Sequence, residues 1–156
     1  MIRKMQNTDI NRVADIWLKT NLKAHDFIPE QYWTSNYELV KEMMSQAEVY
    51  VYEDNKMIQG FVGLNNEYIE GIFVSDEMQS CGIGKLLLDY IKNKKIRLRL
   101  NVYQKNARAL SFYQREGFDI QFDNHGRMQP ITKVTMKMHH AVREDLLRYL
   151  QSHITA

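Results

Sequence analysis

The chain has 156 residues, which fits a single domain able to bury about 70% of its unfolded surface. Its apolar content of 44%, charged content of 26% and net charge of +2 are those of an ordinary globular protein, with no basis for binding nucleic acid or an anionic membrane. The single cysteine, Cys81, excludes an intrachain disulfide, and no apolar run approaches the ~20 residues that span a bilayer.

The N-terminal third is predicted to contain one strand and two helices. Residues 2–5 form a short strand at most and do not resemble a signal peptide, so we expect a cytoplasmic protein. Apolar residues then recur at helical spacing behind a polar capping pair and predict a helix over residues 9–22. Pro29 suits a first helical turn, which predicts a second helix over residues 29–46.

Three short strands follow, rich in β-branched and aromatic residues and separated by polar turns. The strands are predicted over residues 49–52, 58–64 and 68–74. Strands joined by turns this short should be antiparallel neighbours.

The rest of the chain alternates between helices and strands. The predicted elements are a helix over residues 84–93, a strand over 97–102, a helix over 106–116 closed by Gly117, and strands over 118–122 and 131–138. From Ala141, apolar residues at helical spacing predict a short amphipathic helix that packs on the domain or on a partner subunit.

A glycine-bearing turn joins the strand at 68–74 to the helix that begins near Gly84. Because the first N–H groups of a helix lack internal partners and the macrodipole is positive there, this arrangement favours an anion. Gly82 and Gly84 would let a phosphate approach the main chain. A P-loop would need Ser or Thr where Leu86 stands, and the dinucleotide fingerprint would need glycine at Leu87. The turn therefore predicts a phosphate site of another kind, against the alternative of a plain structural turn.

A second motif occupies residues 106–118 and reads N-A-R-A-L-S-F-Y-Q-R-E-G-F. Together with Q-x-x-G-x-G at residues 79–84, it resembles the two signatures of the GNAT superfamily of N-acetyltransferases. The pair, separated by one helix and one strand, is far more specific than either motif alone. The resemblance covers roughly residues 2–139 and is closest to small bacterial YjaB-like acetyltransferases, which have a similar N-V-x-x-x-N entry to the second motif.

The resemblance implies an α/β GNAT fold: a central, mostly antiparallel twisted sheet with a V-shaped splay, flanked by helices. Residues 1–139 would form this domain and residues 140–156 a helical extension. It also implies acetyl-CoA as co-substrate, with its pantetheine arm lying in the splay. The residues that the resemblance places around acetyl-CoA are Ile72, Phe73, Val74, Gln79, Ser80, Cys81, Gly82, Ile83, Gly84, Lys85, Asn106 and Tyr113.

Tyr113 is the candidate general acid. The resemblance places its hydroxyl near the CoA sulfur, and a phenol can donate a proton there while staying neutral at physiological pH. The alternative is that Phe112 and Tyr113 are both core aromatics. Because the amine attacks the thioester directly in this family, Cys81 is not expected to be a nucleophile.

The general base is less sharply defined. Glu70, on the strand before the glycine turn, is the first candidate, and Glu67 and His25 are others; Tyr68 occupies the offset where a family glutamate is expected. Either glutamate could be a solvated surface charge, and a water chain could deprotonate the amine instead.

Three residues of the loop and helix after residue 22 are candidates for contacting the acceptor: His25, Phe27 and Trp33. His25 could equally cap a helix end, and Trp33, with Tyr32 and Tyr37, could belong to the core. The expected acceptor is a primary amine of a small molecule or of a protein. The enzyme itself is expected to be a monomer or a homodimer. The histidines show no metal-ligand spacing, so no metal is predicted. A non-catalytic acyl-CoA-binding module of the same fold is the competing hypothesis.

Overall fold

A computed structural model describes residues 1–103, 105–121 and 133–138. These residues divide into two compact units, one spanning Met1–Lys95 and the other beginning at Ile96. No helix in the described ranges is long and apolar enough to cross a membrane.

The first unit contains a four-stranded antiparallel sheet. Its strands follow one another in chain order: β1 (Ile2–Lys4), β2 (Glu48–Asp54), β3 (Met57–Asn65) and β4 (Tyr68–Val74). The turns between them use Asn55, Lys56 and Asn66 with φ of 48°, 64° and 56°, the left-handed region that asparagine tolerates. The predicted antiparallel hairpins are confirmed.

The same unit contains four α-helices: α1 (Ile10–Ala24), α2 (Glu30–Thr34), α3 (Tyr37–Gln46) and α4 (Ile83–Lys94). The prediction of one continuous helix over residues 29–46 is wrong, because α2 ends at Thr34. Three consecutive polar side chains, Thr34, Ser35 and Asn36, turn back to bond carbonyls of the preceding turn. Such bonds compete with continuation of a helix.

The two faces of this sheet carry different layers. One core cluster joins α1 and α3 to the strands and consists of Val13, Ile16, Met44, Val49, Val51, Ile58 and Phe61. Gly60, the neighbour of Phe61 in β3, faces the other way, since successive strand residues point to opposite faces. A Cβ on Gly60 would lie 3.1 Å from Ile83 and 3.4 Å from Leu87, so this face receives α4.

Gly60→Ala is expected to destabilise the protein by about 1–2 kcal/mol, because the new methyl would also lie 3.0 Å from the backbone oxygen of Phe73 and over-pack the seam beneath α4. Gly63→Ala is the matched control. The nearest atom to a Cβ added at Gly63 is the Cβ of Glu70 at 3.8 Å, which is an ordinary van der Waals distance. Urea unfolding of both variants measures the difference. Equal stability of the two would contradict the close approach of α4.

The N-terminus is fastened by an ion-pair network around Asp9. Its carboxylate accepts hydrogen bonds from Arg3 at 2.8 and 3.2 Å and from the backbone N–H of Gln6 at 2.7 Å. Arg3 also binds Glu53 of β2. The guanidinium of Arg3 holds the pKa of Asp9 below its usual value.

Asp9→Asn should therefore lower the free energy of unfolding by about 2 kcal/mol at neutral pH, the typical worth of hydrogen bonds to a partly buried charge. Because the folded pKa of Asp9 is depressed, this stabilisation is complete above the unfolded pKa and fades as the pH falls through the folded value. The difference in the free energy of unfolding between wild type and variant should thus be smaller in urea titrations at about pH 3 than at neutral pH. A difference of constant size would exclude the ionised carboxylate as its source.

The second unit contains β5 (Arg99–Tyr103), α5 (Ala107–Arg115), β6 (Phe118–Gln121) and β7 (Lys133–Met138). β7 pairs antiparallel with both β5 and β6. Gly117 follows α5 with φ of 93°, which confirms the prediction that this glycine ends the helix. The helix predicted from Ala141 lies outside the described residues.

Candidate active site

The turn between β4 and α4 is held open by two left-handed residues. Ser80 has φ of 63° and Gly82 has φ of 83°. No described atom lies within 4 Å of the position that a Cβ on Gly82 would take. Ile83, the first residue of α4, is only 3% exposed and anchors the helix to the core. The positive end of a 12-residue helix therefore meets open space at a glycine, as the phosphate-site prediction requires.

Gln79 ties this turn to the end of β4. Its Nε2 donates to the carbonyl of Val74 at 3.1 Å and to Oδ1 of Asp76 at 3.3 Å. The same Asp76 oxygen lies 3.6 Å from Nζ of Lys23, in the last turn of α1. These groups are largely exposed and add little stability, but they place the end of α1 beside the turn.

Lys85 and Cys81, two further polar side chains beside Gly82, lie at the surface. Lys85 Nζ is 3.2 Å from a carboxylate oxygen of Asp89, one turn further along α4. Cys81 is exposed, with its Sγ 3.7 Å from the carbonyl oxygen of Gln79. Gly84 lies within the first turn of α4, where a small residue leaves the main chain accessible.

The predicted pantetheine strand is the C-terminal half of β4. Val74, Phe73 and Ile72 pair antiparallel with β3. The ring of Phe73 stacks on Phe61, with centroids 4.9 Å apart, and covers Gly71, where a Cβ would lie 2.4 Å from ring atoms. This packing fixes the backbone of the strand at the position where it enters the turn.

A β-bulge occurs at Glu70. Leu64 of β3 pairs with Ile69, and Gly63 pairs with Gly71, so Glu70 is the extra residue of β4. Its Cβ lies 3.8 Å from the position of a Cβ on Gly63, and its side chain is exposed. The bulge thus turns Glu70 toward the face that carries α1 and α3. Glu67 lies in the turn before the strand.

An aromatic cluster occupies the end of α1 and the start of α2. The rings of His25 and Trp33 stack with centroids 5.3 Å apart, and Trp17, Tyr32 and Phe27 meet them edge-on. His25 is 9% exposed, and its Nδ1 lies 3.0 Å from Oδ1 of Asn21.

These contacts agree with the interpretation of His25 as a structural residue at the end of a helix, which was the alternative to a contact with the acceptor. The backbone N–H of His25 bonds the carbonyl of Asn21 at 2.9 Å, and its own carbonyl accepts from Ile28. Trp33 is 6% exposed, as the core reading predicted, whereas Tyr32 is half exposed. Contact of His25, Phe27 or Trp33 with an acceptor stays a prediction.

In the second unit, Tyr113 is held on α5 by aromatic packing. It is 6% exposed, and its ring lies edge-on to Phe112 at 5.1 Å and to Phe118 at 5.4 Å. Asn106 caps the same helix, since its Oδ1 accepts from the N–H of Ala109 at 3.2 Å. The second motif therefore forms a capped helix carrying a buried tyrosine.

Among the described residues, no group of three or more His, Cys, Asp or Glu side chains could hold a metal ion. The sequence did not predict two residues of this site. Asp76 joins the turn to α1, and Trp17 completes the aromatic cluster. Trp17 belongs to the apolar face of α1, but neither residue carries a sequence signal for these contacts.

Residues 22–140 match the family model described as an acetyltransferase (GNAT) domain. The chain belongs to the GNAT acetyltransferase family. This GNAT enzyme is 34% identical over 122 residues to the peptidyl-lysine N-acetyltransferase YiaC of Escherichia coli K12, covering 77% of this chain and 84% of YiaC. It is 24% identical to the peptidyl-lysine N-acetyltransferase YjaB of the same strain, covering 83% of this chain and 92% of YjaB.

Solved structures confirm the GNAT fold. The solution structure of apo YjaB from E. coli superposes with a TM-score of 0.76 at 23% identity, covering 90% of this chain and 98% of that one. The PaiA N-acetyltransferase of Thermoplasma acidophilum, in complex with coenzyme A, gives a TM-score of 0.73 at 19% identity, with the same coverage. The predicted family, fold and enzyme class are confirmed, and the predicted acetyl-CoA donor agrees with the coenzyme in the PaiA complex.

Proposed function

We propose that this GNAT enzyme transfers the acetyl group of acetyl-CoA to the side-chain amine of a protein lysine. The observation that carries the proposal is the 34% identity to a peptidyl-lysine N-acetyltransferase across 77% of the chain. Geometry supports the donor half, since Gly82 leaves the positive end of α4 open to a pyrophosphate. As the sequence led us to expect, we further propose a soluble, cytoplasmic enzyme that acts as a monomer or a homodimer, with residues 140–156 as an extension of the domain.

The main chain of the turn would hold the pyrophosphate. The N–H groups of Ile83, Gly84 and Lys85 open α4, and the ammonium of Lys85 adds a positive charge beside them. Ser80 and Cys81 would contribute mainly backbone. Gln79 and the strand Ile72–Val74 would lie along the pantetheine arm, with the amide of Asn106 further along it.

Acetyl transfer needs a nucleophilic amine, a general acid and a general base. The lysine nitrogen attacks the thioester carbonyl, the C–S bond breaks, and the thiolate takes the hydroxyl proton of Tyr113. The nitrogen, which is positively charged after the attack, loses its second proton to the Tyr113 phenolate directly or through water, which gives the neutral amide and restores the phenol. The ammonium of free lysine must first lose a proton, since its pKa is about 10. Glu70 is the proposed acceptor of that proton, directly or through water, because the bulge turns its exposed carboxylate toward the α1 side of β4.

A direct assay tests the function. Purified protein is incubated with acetyl-CoA and a capped peptide containing one lysine, while thiol release and the acetylated peptide are measured. Catalytic production of acetyl-lysine supports the proposal. Saturable acetyl-CoA binding without turnover of peptide or simple amines would instead favour the non-catalytic acyl-CoA module. Turnover of simple amines alone would move the acceptor class from protein to small molecule.

A further inference from the structure

The indole N–H of Trp33 is a buried hydrogen-bond donor that the proposed chemistry does not use. Trp33 is 6% exposed, and its Nε1 has no hydrogen-bond partner among the residues that the structure describes. Buried polar groups are nearly always paired, because an unmet donor loses its bond to water and gains nothing. A ligand that accepts a hydrogen bond from this indole N–H would satisfy the donor.

The orientation of this indole is fixed by its neighbours. His25 stacks on its face with an interplanar angle of 27°, while Trp17 and Tyr32 meet it at 74° and 84°. Tyr32 is 51% exposed, so the cluster reaches the surface through this side chain. A rigid donor one side chain below the surface is a pre-organised contact for an incoming group.

The cluster lies at the end of α1 nearest the cofactor turn. Lys23, two residues before His25, places its Nζ 3.6 Å from Asp76, and Asp76 accepts a hydrogen bond from Gln79 of that turn. The end of α1 that carries this cluster is therefore linked to the proposed acetyl-CoA turn through Lys23 and Asp76.

We propose that Trp33 Nε1–H donates a hydrogen bond to a backbone carbonyl of the acceptor peptide, and that this contact favours peptidyl-lysine over free amines. The inference rests on the proposed lysine acetyltransferase activity. The partner must be an acceptor, which excludes the lysine ammonium, since that group only donates, and the neutral amine formed from it uses its lone pair to attack the thioester. A neutral carbonyl suits this apolar surround better than a carboxylate, whose burial without a counter-charge costs far more. Tyr32 is the exposed side chain that moves to admit the peptide.

Trp33→Phe keeps an aromatic ring and removes the donor. We expect the KM for a capped lysine peptide to rise about tenfold, the equivalent of about 1.4 kcal/mol, with kcat retained. n-Butylamine has the same reacting amine but no carbonyl, so its kcat/KM should not change. The butylamine reaction also reports whether the variant is folded. An equal loss for both acceptors would assign Trp33 to packing alone and overturn the inference, as would no loss for either.

A second measurement does not depend on turnover. Trp33 is one of two tryptophans, so Trp17→Phe leaves it as the only indole fluorophore. Its emission should change on titration with the capped peptide and stay constant with n-butylamine. An unchanged emission at peptide concentrations that saturate turnover would overturn the inference and leave the proposed function intact. A wild type that acetylates no peptide would instead remove the proposed function.

Discussion

Tyr113→Phe should lower kcat by about 10²–10⁴-fold, the usual range for loss of a general acid, while leaving the affinity for acetyl-CoA nearly unchanged. Without the hydroxyl, the CoA thiolate must leave unprotonated or take its proton from water. The ring is what packs against Phe112 and Phe118, and the variant keeps that ring. Thermal unfolding should therefore change little.

Phe112→Leu is the matched control for this experiment. Phe112 is adjacent in α5 and touches the ring of Tyr113 at 5.1 Å, so its loss disturbs the packing without removing the proposed acid. We expect this variant to be destabilised by about 1–2 kcal/mol and to keep kcat per folded molecule. Stopped-flow thiol release for both variants, with calorimetric binding of acetyl-CoA, separates the two effects. A Tyr113→Phe enzyme with wild-type kcat would remove Tyr113 from the chemistry.

The parts of the fold that the sequence predicted well are those set by local chemistry. Asn66 and Gly117 mark positive-φ positions that few other residues tolerate, and both stand where turns were expected. The glycine turn before α4 was also predicted, because phosphate-binding turns need residues without a Cβ at fixed offsets. Two motifs in the right order then identified the family from residues 79–118 alone.

What the sequence did not predict depends on competition between local and tertiary interactions. The break between α2 and α3 arises where Ser35 and Asn36 bond back to the preceding turn, a choice that helical periodicity does not reveal. The bulge at Glu70 depends on pairing with β3 and reverses the face expected from simple alternation. The orphan donor on Trp33 is a property of three-dimensional packing alone.

Gly82→Asp should weaken acetyl-CoA binding by about a hundredfold or more, since a carboxylate at the N-terminus of α4 would stand within a few ångströms of the pyrophosphate. The site has room for the side chain, because no described atom lies within 4 Å of a Cβ there. Aspartate also tolerates the φ of 83° better than most residues. Charge, rather than steric collision within the protein, is therefore the expected cause.

Gly82→Asn isolates that cause. Asparagine matches aspartate in shape and in tolerance of left-handed backbone, so the two variants share any loss from volume or strain, which we expect to be about tenfold. The further loss in the aspartate variant measures repulsion of the phosphates, and it should shrink as salt is raised, because screening weakens charge interactions at an exposed site. Both variants should unfold at similar urea concentrations. If both lose the same affinity at every salt concentration, the anion does not lie at the start of α4. Acetyl-CoA would then be held elsewhere, and the open space at Gly82 would be only a feature of the turn.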